Sequence, residues 1–268
     1  MLAPFAEVPL AYFMIATLIA VSLFALRNRP LFDAWRMHPY AIYRGKRLFT
    51  VFTSVFVHVD GKHLLLNIMF LLIYLPEVAY MLKDDFGPII GRLLLLLVVT
   101  CISWLASMGS ALQYRKNEWH RSTGSSHVAF GIIIMYFVYF PISDEGIAPS
   151  ILPAFPCIFI ALTILLLLSL FVLVGWASAA PIHLYGALAG LFMACVIRPA
   201  LLEEVAVAIG ISIALEKCDD KPEGPENHGT DQAVPGPVGE SAFPAFAALD
   251  GFRLIGVQAV HPGWDDQG

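Results

Sequence analysis

Charge is scarce in this sequence. Of 268 residues, 14% are Asp, Glu, Lys or Arg and 58% are hydrophobic, against about 25% and roughly 45–50% in an ordinary soluble domain. That deficit excludes a water-soluble globule. The little charge present is uneven: residues 1–200 carry 13 Lys/Arg and 9 Asp/Glu, whereas 201–268 carry 3 and 12. No basic groove interleaved with aromatics is visible in the mildly basic body, so nucleic acid is not an expected partner. Cysteine is sparse as well. Of four, Cys101, Cys157 and Cys195 lie inside apolar runs, and no secreted disulfide framework can be drawn. No Lys or Arg precedes Arg27, so no transit peptide is expected. The first apolar run outlasts a signal-peptide core and lacks its basic flank, so it reads as a membrane helix.

What is present is a series of long apolar runs. A hydrocarbon layer of about 30 Å takes roughly 20 residues of helix. Six segments approach that ruler: Val8 to Leu26, His63 to Leu82 (interrupted by Pro76 and Glu77), Leu93 to Leu112, the short Val128 to Pro141, Ile151 to Gly175, and Ile182 to Ile197. Val205 to Leu215 is too short to cross. Backbone groups in lipid must be satisfied internally, and these runs are too long for barrel strands, so helix is forced. The expected fold is all-α: a polytopic, six-helix membrane bundle over 1–200. Between Asp219 and Glu240 lie four Pro, four Gly and six acids, which cannot offset the entropy of ordering. Residues 201–268 are therefore expected to be a mostly disordered acidic tail.

Ionisable and amide side chains inside such runs are costly and mark candidate function. His63 and Asn67 stand four apart, on one helix face, where two donors aimed at one point would hold a developing negative charge. Ser126, in STGSSHVAFG, sits where a polar loop enters the fourth run. It reads either as a cap or as a nucleophile beside the exposed N–H groups of a helix start. The strand-borne Gly-x-Ser-x-Gly elbow is excluded, because Val128 stands where its second glycine would be. His183 heads the sixth run, with Gly186 and Gly190 three and seven residues later on the same face, a stripe that admits close helix packing. A serine needs a base within hydrogen-bond reach, so Ser126 and His183 form a candidate dyad. Glu77 reads as a capping, kinking or interfacial group, and His58 and Asp60 as holders of loop backbone. No HExxH or Cys/His cluster is present, so no metal is expected.

Taken in order, these motifs resemble the rhomboid family of intramembrane serine proteases. His58, His63 and Asn67 match its His-x4-His-x3-Asn pattern, Gly124, Ser125, Ser126 and His127 stand at its Gly-x-Ser-Gly, and His183, Gly186 and Gly190 match its last helix. PYAIYRGKRLFTVFTSVFVH resembles the membrane-associated first loop of bacterial members. The likeness covers roughly residues 8–199. It implies Ser126 as nucleophile, His183 as base and then acid, and His63, Asn67 and the Ser126 N–H as oxyanion hole, with no metal or organic cofactor. It implies single-span membrane proteins as substrates, cut within the lipid bilayer, and a multi-pass location in a bacterial inner membrane.

One departure is His127, where the family has glycine. The imidazole is expected to point away, to donate to the oxyanion, or to displace Ser126 and disable the site. The last outcome would make the chain an inactive, client-binding relative. A six-helix transporter is a third reading, motivated by helix count alone. The basic residues between Arg27 and Arg47 and at Arg115, Lys116 and Arg121 put the site toward the cytoplasm by the positive-inside rule, whereas the resemblance implies the outer side.

Overall fold

In the computed structural model of the chain, residues 3–139, 157–175 and 179–206 are described. They form α1 (Pro9–Arg27), α2 (Arg29–Trp35), α3 (Pro39–Tyr43), α4 (Thr50–Thr53), α5 (Gly61–Gln113), α6 (Ser126–Tyr139), α7 (Cys157–Val174) and α8 (Ala180–Ile197). A 3-10 turn covers Ser54–Phe56, and the one β contact among the described residues is the bridge Met37↔Ser122. Helix starts follow local chemistry. Proline occupies the first turn of α1, α2, α3 and α8, where its missing N–H costs nothing. The Asn28 side chain caps α2 by accepting from the Leu31 N–H, and Asp60 caps α5 by accepting from the His63 N–H at 2.8 Å.

The second and third apolar runs are joined without a loop. α5 is two helices that meet at a kink: Gly87, at φ +79° and ψ 169°, takes a conformation open essentially to glycine alone, and Pro88 opens the second helix. Residues 61–86 and 88–113 are two arms of about 39 Å each, and each outspans a hydrocarbon layer of about 30 Å. Pro76 lies within the first arm without ending it. With α1, α6, α7 and α8, the arms make six apolar helical segments of an all-α integral membrane bundle. Lipid contact is plainest on α7, where Leu166 and Leu173 are 69% and 83% exposed. Water would not tolerate that much contiguous apolar surface.

Ile102 of α5, Ile132, Ile134 and Met135 of α6, and Ala187 and Ala194 of α8 are fully buried and belong to one core. At its centre α6 and α8 touch through backbone. A Cβ at Gly186 would overlap the carbonyl oxygen of His127, and one at Gly190 that of Gly131. Only hydrogen at both positions allows this approach.

The end of the bundle at the α5 turn is tied by polar contacts. Tyr139 Oη donates to Asp85 at 2.5 Å, and Arg198 donates to the Tyr139 carbonyl and pairs with Glu204 at 2.7 Å. Lys83 pairs with Glu7. Glu77 accepts the Ala3 N–H at 2.6 Å, so it anchors the chain ahead of α1. The first six residues of the segment read as a tail, 201–206, are helical, and Leu201 is buried. The rest of that segment, and the flanks of the fourth and fifth runs at 140–156, lie outside the described residues.

Candidate active site

Ser126 is the first residue of α6 and His183 lies in the first turn of α8. The α6–α8 seam brings these starts together, and Ser126 Oγ stands 2.8 Å from His183 Nε2. Both side chains are half-buried, within reach of a reactant. The Phe130 ring, one turn along α6 from Ser126, lies against the His183 imidazole with ring centres 5.0 Å apart. It walls the ring on one side.

His63 and Asn67 face the loop that precedes α6. Gly124 sits at φ +100°, and a Cβ there would come within 2.7 Å of His63 Cε1 and 3.4 Å of Asn67 Nδ2. The missing side chain is therefore what lets the loop lie against both groups, besides the glycine-favouring φ. Asn67 is buried, yet its Nδ2 has no hydrogen-bond partner among the described residues. A buried donor left unspent is unusual in a folded protein, and this one lies about 9 Å along α5 from its start.

The loop is held from the first-loop side. Met37 and Ser122 exchange backbone hydrogen bonds at 2.9 and 3.1 Å, and the Gly124 N–H donates to the Ser54 carbonyl at 3.0 Å. The Ser125 N–H donates to His58 Nε2 at 3.3 Å. His58 is wholly buried; burial foremost, then the nearby His63, push its pKa down to about 4, so the ring is neutral at pH 7.

Comparison with known proteins shows the family. The Rhomboid domain family matches residues 45–200, more than half of the chain. The chain belongs to the rhomboid family. A search of curated proteins found no match. In this rhomboid, the matched region takes in α5 through α8 and all eight residues singled out from the sequence: His63, Asn67, Gly124, Ser126, His127, His183, Gly186 and Gly190.

His127 does not push Ser126 away from His183, with Ser126 Oγ and His183 Nε2 standing 2.8 Å apart. Its ring is buried at 2% exposure with Nε2 unpartnered, the Gly124 carbonyl beside it. What meets α8 at this position is the His127 backbone, and the room is made by Gly186. Three contributors were not singled out from sequence. Phe130 was signalled by its place four residues after Ser126, on the same face. Gly131 lies under Gly190 and had no sequence signal beyond its size. Ser22, whose hydroxyl reaches His58, reads in sequence as one more small residue of an apolar helix.

Proposed function

We propose that this rhomboid is an intramembrane serine endopeptidase that cleaves transmembrane or membrane-proximal segments of membrane proteins. The observation that carries the reading is the 2.8 Å contact between Ser126 Oγ and His183 Nε2, beside the unspent Asn67 donor. In this reading Nδ1 of His183 bears the ring proton and Nε2 accepts from Ser126. As Ser126 Oγ bonds to the substrate carbonyl carbon, its proton passes to Nε2, and the carbonyl oxygen becomes an oxyanion. Asn67 Nδ2, the His63 ring and the Ser126 N–H at the start of α6 hold that charge. His183 then gives its proton to the leaving amine as the C–N bond breaks. Water, deprotonated by His183, releases the acyl group and restores the serine. Neither metal nor cofactor enters these steps. We assign the protein to a bacterial inner membrane, with single-span proteins as clients whose helices must unwind locally; Gly or Pro in the client lowers that cost.

The test is cleavage of labelled single-span substrates by purified protein in lipid, with Ser126→Ala and His183→Ala alongside. Loss of cleavage in both variants supports the dyad, and persistence in both removes it. His127 favours a second reading, a client-binding protein without turnover, since a buried imidazole with an unpartnered nitrogen is an added polar burden beside the nucleophile. That reading expects client capture without cleavage, and covalent labelling of Ser126 by a fluorophosphonate rules it out.

A further inference from the structure

Three parts of the chain converge on His58, which is wholly buried. Nε2 receives the Ser125 backbone N–H at 3.3 Å, with Ser125 Oγ at 3.4 Å from the same nitrogen. Nδ1 stands 3.0 Å from Ser22 Oγ of α1, and Ser22 Oγ in turn donates to the Phe56 carbonyl at 2.8 Å. These roles admit one ordering of protons. A backbone N–H only donates and a carbonyl only accepts. Nε2 is therefore bare, Nδ1 carries the hydrogen, and the Ser22 hydroxyl accepts from Nδ1–H while giving its own proton to Phe56. The chain of bonds runs in one direction, from the residue preceding Ser126 to the first membrane span, with Ser125, His58 and Ser22 all buried.

We propose that His58 and Ser22 are positioning residues: a directional relay through which α1 sets the backbone of Ser125 and Ser126, and with it the nucleophile and its N–H. The inference rests on the serine-protease reading of the site. Among the described residues, two further backbone contacts tie the loop before α6 to other elements, the Gly124 N–H on Ser54 and the Met37–Ser122 pair. Neither holds a group beyond Gly124. The Ser125 N–H is the anchor closest to the nucleophile, and an amide that lost its acceptor inside the bundle would turn to find another. α1 acts through the imidazole.

Two measurements test the relay. The first is the tautomer of His58, read from ring 15N shifts in labelled protein in lipid near pH 7 and assigned by comparison with His58→Asn. The Nδ1–H form is expected, and an Nε2–H ring overturns the proposal. The second is the rate at which a fluorophosphonate labels Ser126. Ser22→Ala is expected to slow it by about fivefold, the effect of one neutral hydrogen bond. Ser22→Thr, which keeps the hydroxyl, is expected to restore it. Labelling of Ser22→Ala at the wild-type rate overturns the relay. A wild-type protein that never labels sinks the protease reading instead, and the tautomer still decides the relay. It decides equally if Ser22→Ala does not fold.

Discussion

Asn67 shows at the scale of one residue how a site differs from a core. A buried amide nitrogen without a partner contributes nothing to the resting fold and is free to bond a charge that forms later. Asn67→Leu, similar in shape, is therefore expected to leave thermal unfolding in detergent unchanged or raised while lowering proteolytic turnover roughly 10²–10³-fold. Equal losses of stability and turnover would contradict it. His58 yields a pH dependence of defined sign. Its ordinary value is 6.5 and its folded value about 4, so the unfolded chain takes up the proton first. The stability it supplies is complete above about pH 6.5 and is lost as pH falls toward 4. Melting curves between those limits should fall more steeply for wild type than for His58→Asn. His63, with its ring 5.2 Å away, is the neighbouring titratable group and belongs in the same series. The i, i+4 spacing of His63 and Asn67 was readable as one helix face. The turn that sets Gly124 against them was not, since it depends on φ +100° and on bonds to Ser54 and His58, far away in sequence.

Among whole elements, α6 and α8 depend on two hydrogens. Gly190→Ala places a methyl where the Gly131 carbonyl already stands, and overpacking of this kind costs about 1–3 kcal/mol. Gly61→Ala, with nothing within 4 Å, is the control and should be nearly neutral. Unfolding titrations of the two variants check this, and equal stability would mean that the seam is looser than described. The glycine stripe after His183 was legible as a packing face, but not its partner, because Gly131 lies in a run as apolar as its surroundings. The second and third spans were legible as separate runs, His63 to Leu82 and Leu93 to Leu112, with charge between them. The helices on either side run on into the charged stretch that holds Lys83, Asp84, Asp85 and Arg92, and one residue, Gly87, makes the turn between them. Charged side chains at a membrane surface do not unwind a helix; they are comfortable in water and headgroups while the backbone stays bonded.

The described residues depart from the soluble pattern: large apolar side chains stand outside as well as in the core, and glycines sit where helix backbones meet. Composition alone carried that conclusion, and the all-helical bundle followed from the needs of backbone in lipid. Side chains that face lipid should be replaceable. Leu173→Ala, 83% exposed on α7, is expected to shift folding by no more than about 0.5 kcal/mol. Ala161→Leu, fully buried on the same helix, should cost about 1–3 kcal/mol through overpacking. Steric trapping or denaturant titration in bicelles separates the two, and similar losses would show that α7 is packed on all sides.

The carbonyl-to-glycine contacts at 186 and 190 carry one more implication. They fix the spacing of the two main chains that carry Ser126 and His183. A guest segment wedging into the bundle would have to lift both abutments at once to spread that gap, so yielding must come from other walls. The helix starts that bear Ser126 and His183 behave as the fixed jaw of a vice.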